Sequence, residues 1–157
     1  MLLIAATHTD YNHSANFENY KSYSWIKVEA GNSLWQDRIQ HAVDAELGAK
    51  GWTLAPTSAD AAISAIGSVN VQLQLETYYT GLGGGWFWRF GNGIATTTVE
   101  NVPVGNLVVD IFDAKSKKLI WRGSAEKVLS EKPEKNEKKL EEAVRDMFKK
   151  FPPPSKG

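Results

Sequence analysis

Between Gly105 and Leu129 two strongly apolar runs flank a short polar break, GNLVVDIFDAKSKKLIWRGSAEKVL, and no other stretch of the chain narrows its own structure so far. It reads as a β-hairpin. Leu107, Val108, Val109, Ile111 and Phe112 are apolar on both parities, which suits an interior strand covered on both faces. Leu119, Ile120 and Trp121 make the return strand. The intervening Asp113 to Lys117 lacks the Asn-Gly or Asp-Gly pair of a two-residue turn, so the loop is longer and its register open. In Trp121-Arg122-Gly123, strand geometry sends the indole and the guanidinium to opposite faces.

The remaining segments supply partners for this hairpin. Ala5 to Tyr11 is β-prone and ends in the turn cluster Asn12, His13, Ser14, giving a first strand. Tyr20 to Val28 is a second, with aromatics on both parities that place it well inside the sheet. Asn32 or Ser33 opens a helix from about Leu34 to Lys50, since Ser33 and Gln36 have capping-box spacing and Ile39, Val43 and Leu47 form a stripe. Gly51 caps its end and Trp52 folds back onto the last turn. Ala61 to Tyr79 alternates as a long strand, with Val69, Val71, Leu73 and Leu75 opposite Ser68, Asn70, Gln72, Gln74 and Glu76. Ile94 to Val102 is another, turned at Pro103. After Pro133 a helix from about Glu134 to Lys150 carries Leu140, Ala143, Val144, Met147, Phe148 and Phe151 on one side, and the proline run at 152–154 ends it. The order β-β-α-β-β-β-β-α predicts an α+β fold. Its sheet is antiparallel-rich or mixed, with about five to six strands and two helices on one face.

A chain of 157 residues without cysteine forms one domain, 1–157, that buries a core without disulfides. Residues 1–4 are a targeting stub or the start of the first strand, and 152–157 are a polar tail. The 18 basic and 18 acidic residues balance, so no global field draws in nucleic acid. Their distribution is uneven: residues 1–114 hold 5 basic and 11 acidic groups, net −6, against 13 and 7, net +6, in 115–157. The positive segment reads as the solvated face of the last helix. No stretch approaches the ~20 apolar residues of a membrane-spanning helix.

Several segments together resemble a family of bacterial envelope lipoproteins catalogued only as a domain of unknown function. The resemblance rests on Asp10-Tyr11, Phe17, Tyr20-Lys21-Ser22-Tyr23-Ser24-Trp25, Arg38-Ile39 with Ala42-Val43, Lys50-Gly51-Trp52, Ala59-Asp60, Gly105 with Leu107 and Asp110, Lys118-Leu119-Ile120-Trp121-Arg122-Gly123 and Phe151-Pro152-Pro153. It covers nearly the whole chain. It implies export to the periplasm or association with the outer membrane, and contact with a membrane only through a lipid anchor that this sequence, without cysteine, does not itself carry. It supplies no catalytic residues and no cofactor.

The residues themselves offer two constellations. His8, Asp10 and His13 place three residues of metal-ligating type within one short segment, although the spacing belongs to no established metal motif. Thr80 to Gly93 holds six glycines and four rings in fourteen residues, with Trp86, Phe87, Trp88, Arg89 and Phe90 in a row. Tryptophan beside arginine is common at binding hot spots, so these five are the candidate binding residues. No G-x-S-x-G is present, and the glycines match no phosphate-binding fingerprint. Asp110 and Asp113 read as structural carboxylates around the hairpin turn. The expectation is a non-catalytic envelope domain binding an unknown protein or envelope component. The alternative is a small-ligand or metal-binding domain using His8, Asp10 and His13 or a pocket under the aromatic loop.

Overall fold

A computed structural model describes residues 5–74 and 100–154 of the chain. Its strands are β1 (Ala5–Tyr11), β2 (Ser22–Glu29), β3 (Thr53–Leu54), β4 (Ala61–Gln74), β5 (Glu100–Asp113) and β6 (Leu119–Val128). Helix α1 is Ser33–Ala49 and helix α2 is Pro133–Met147. The strands form one sheet in the order β1-β6-β5-β4-β2-β3. All pairings are antiparallel except β2 with β3 and β2 with β4. Parallel pairing of β2 with β4 needs a crossover between them, and α1 provides it. The fold is therefore α+β, with a mixed six-stranded sheet and the element order read from the sequence.

Both helices pack on one face. Ile39, Val43 and Leu47 of α1 and Ala143, Val144 and Met147 of α2 join Ile63, Ala65, Val109, Ile111 and Trp121 of the sheet in one buried cluster. The hairpin lies at its centre. Trp121 is 2% exposed and its ring stacks on Phe148 at 4.8 Å, while Phe151 closes edge-on at 5.3 Å. On the other face Arg122 donates from Nε and Nη2 to the two carboxylate oxygens of Asp110 directly across the strand pair, at 2.6 and 2.9 Å. That fork places ring and guanidinium on opposite faces, as alternation requires.

Helix ends follow local chemistry. Asn32, not the Ser33–Gln36 pair, caps α1, its side chain accepting from Trp35 N at 3.0 Å. At the far end Gly51, at φ +88, lets Trp52 N reach Leu47 O and its own N reach Gly48 O, which is the Schellman arrangement. Trp52 is thereby turned into the core against Phe151 at 5.3 Å.

Three expectations are corrected. Pro103 does not turn the chain: β5 runs straight through it, because its carbonyl accepts from Leu129 N just beyond the last β6 pair, Val104 with Val128. The missing proline N–H falls where the ladder is already ending. Strand β5 is interior to the sheet, but among the described residues helices cover one of its faces only, so Val108 and Phe112 stay half-buried beside their cross-strand neighbours. Strand β2 lies near an edge, with only the two residues of β3 beyond it among the described residues. Its aromatics face inward toward α1.

Candidate functional site

Strand β4 pairs with β5 as far as Gln74 with Glu100, whereas β2 leaves β4 at Ile66 and β6 leaves β5 at Val104. Among the described residues, the pairs from Val71–Pro103 to Gln74–Glu100 thus have no flanking strand. They form a two-stranded ribbon reaching roughly 13 Å past the sheet at the usual rise per residue.

At the ribbon's base a groove of about 760 Å³ opens between the sheet and the starts of both helices. Trp35 and Ile39 line it from α1, Leu140 and Ala143 from α2, and Gly67, Leu107 and Ala125 from the sheet. Small residues make the space. A Cβ added at Gly67 would lie 2.8 Å from Ile39 Cδ1, and one at Gly105 would lie 3.0 Å from Leu129 Cδ2, so both side chains lean on bare backbone. Val69, 60% exposed, leaves apolar surface along its edge. One wall is pinned by Asn136, whose side chain both accepts from Ser130 N and donates to Ser130 O. Beside it Lys139 Nζ donates to Val128 O at 2.6 Å, and Lys127 Nζ lies 3.5 Å from Glu142.

The perturbed titratable groups lie elsewhere, each spent on a junction. Asp44 of α1 accepts at one oxygen from Tyr23 Oη at 2.6 Å and from Trp25 Nε1 at 2.9 Å, tying α1 to β2. Burial, then this bond, pushes the Tyr23 hydroxyl above the ordinary phenol range. Asp60 accepts from Lys21 N and Ser22 N while its own N–H donates to Ser22 Oγ, and the Lys21 bond leads in holding its carboxyl low. Asp113 accepts from Tyr20 Oη at 2.6 Å, and from Lys115 N and Ser116 N across the hairpin turn. The Tyr20 bond, then that from Ser116, lowers Asp113 from 3.8 to about 2, and burial followed by the same partner raises Tyr20 to about 12. A carboxyl lowered on folding contributes stability above its unfolded value and loses it as pH falls through the folded one. Acid titration should therefore remove stability between about pH 4 and about pH 2. Asp113→Asn should flatten that limb in denaturant melts at successive pH values; an unchanged limb would show that Asp113 carries none of it.

His8, Asp10 and His13 are not gathered. His8 and Asp10 stand on one face of β1, whereas His13 stacks on Tyr11 of the opposite parity at 4.3 Å. Among the described residues no three of His, Asp or Glu are grouped to hold a metal ion. Trp86, Phe87, Trp88, Arg89 and Phe90 lie outside the described residues, in the segment joining β4 to β5. The groove residues are absent from both constellations. Their only trace in the sequence is the run of small side chains at Gly67, Gly105, Ala125 and Ala143, which acquires meaning once four elements meet.

A family model described as Domain of unknown function (DUF4136) matches residues 7–153. Among solved structures, a PDZ domain protein from Parabacteroides distasonis superposes with a TM-score of 0.62 at 13% identity, over 99% of this chain and 38% of that one. This chain thus spans well under half of that protein's length. The PelC dodecamer from Paraburkholderia phytofirmans superposes with a TM-score of 0.55 at 11% identity, over 92% of this chain and 94% of that one. These likenesses are of fold. A search of the curated proteins finds no match.

Proposed function

The chain belongs to the DUF4136 family, a domain of unknown function, and from that membership we propose that it is a non-catalytic domain of the bacterial cell envelope that binds a partner through its projecting ribbon. The observation that carries this reading is the ribbon itself. A two-stranded ribbon is marginal in water, and this one, which has no flanking strand among the described residues, gains stability when a partner covers it. The segment that joins its two strands contains Trp86, Phe87, Trp88, Arg89 and Phe90, the chemistry most often found at binding hot spots, and these are the proposed contact residues. Absence of catalysis is supported by the use of each shifted carboxyl and phenol among the described residues, Asp60, Asp113, Tyr20 and Tyr23, in a structural bond.

The envelope location is supported by the resemblance of the Tyr-Lys-Ser-Tyr-Ser-Trp and Lys-Leu-Ile-Trp-Arg-Gly segments to envelope lipoproteins. The partner is a protein or another envelope component. Because the similar PelC fold occurs as a dodecamer, further copies of this chain are one form it takes in the proposal. Fractionation of cells expressing the native gene tests the location: the product belongs with the envelope, and a purely cytosolic product would overturn it. Trp86→Ala and Trp88→Ala, made singly, should give one loss of thermal stability and one loss of partner binding. Should both simply unfold the domain, the contact residues lie elsewhere.

A further inference from the structure

We propose that the groove at the ribbon's base binds one amphipathic ligand, a single apolar chain ending in an anionic headgroup, with the chain over Ile39 and Leu107 and the headgroup at Lys127 and Lys139. The site adjoins the ribbon's base at Val69. Its volume, about 760 Å³, lies within the range of ligand pockets, ~300–1,000 Å³. Its floor and helix walls are apolar, so a chain entering it removes hydrocarbon surface from water on both sides.

Charge sets the polarity of the ligand. Among the described residues, three charged ones line the groove: Glu29, Lys127 and Lys139. Lys127 and Lys139 stand together on the seam between β6 and α2. Lys139 donates to the carbonyl of Val128 and has no carboxylate within 4.0 Å among the described residues, so its ammonium retains two donors. Lys127 is 23% exposed and its contact to Glu142 is long, at 3.5 Å. Glu29 belongs to β2, three strand spacings or roughly 14 Å away, and is occupied by Lys27 at 3.1 Å. Both helices begin at this end, and their dipoles add to the preference for an anion. A cationic or zwitterionic headgroup would meet the lysines without this gain.

Trp35 in the groove wall gives a direct readout, using stearate brominated in mid-chain as a tryptophan quencher. Quenching should saturate at micromolar concentration with one chain bound per protein by native mass spectrometry. It should shrink in Trp35→Phe, weaken at least tenfold in Lys127→Ala/Lys139→Ala, and be lost in Ala30→Phe, which fills part of the groove without touching the lysines or adding a tryptophan. Stearylamine, the same chain with a cationic head, should compete at least tenfold more weakly than stearate. Circular dichroism and thermal melting identify variants that fail to fold, and the wild-type competition with stearylamine decides the matter independently of them. Absence of saturable quenching, quenching of full size in Trp35→Phe, or equal competition by the two heads would overturn the proposal. So would a concentration-dependent dimer in sedimentation that excludes the brominated chain, because it would give the groove to a second copy.

Discussion

Replacing Trp121 by alanine is expected to cost about 3–5 kcal/mol, the range for emptying a buried aromatic site. The ring is 2% exposed and touches both Phe148 and Phe151, which belong to the chain leaving α2, so its loss unseats the helix as well as the hairpin. The surrounding side chains are themselves rings held edge-to-face, at 5.2 Å for Phe148 and Phe151, and they have little freedom to collapse into the gap. Denaturant melts measure the effect. A loss under ~1 kcal/mol would mean that the hairpin is not the centre of the fold.

The second large effect is expected two residues later, at Gly123. On this face the Trp121 ring folds along the strand over Gly123, and Met147 of α2 fills the remaining space. A Cβ at Gly123 would lie 2.5 Å from Trp121 Cη2, and 2.3 and 2.8 Å from Met147 Cγ and Sδ. Met147 can bend away, but the indole is fixed by Phe148. Gly123→Val should therefore destabilise by on the order of 3 kcal/mol through overpacking. Combining Gly123→Ala with Met147→Ala should cost less than the two single changes added together, because the second removes part of the clash created by the first. Strict additivity in thermal or denaturant melts would show that the two residues do not share this space. The Trp-Arg-Gly segment then has a single physical sense: ring inward, guanidinium paired outward with Asp110, and no side chain where the ring must lie.

Most of this fold is legible from local patterns. The hairpin follows from two apolar runs and a polar break, the Gly51 cap from one residue that tolerates φ +88, and both helices from their stripes. What local patterns miss is decided by neighbours. Pro103 reads as a turn because the sequence does not reveal that β6 stops one pair earlier. The aromatics of Tyr20 to Trp25 read as a strand deep in the sheet, whereas Tyr23 and Trp25 face Asp44, a residue 19 positions beyond Trp25. The groove is less legible still, because its walls come from five separated segments and its cause is the absence of side chains at glycines and alanines. Asp113 is the opposite case: a turn carboxylate accepting from Lys115 N and Ser116 N is a local motif, and only its bond to Tyr20 is long-range.

The central claim is that the ribbon beyond the sheet is where a partner binds. A photoreactive amino acid placed at Val69, on the exposed edge of the ribbon's base, can be compared in living cells with one at Lys117, in the exposed hairpin turn where the Asp113 bonds lie. The account predicts a discrete crosslinked product from Val69 in the envelope fraction and none from Lys117. No product from Val69, or equal products from both positions, would contradict it.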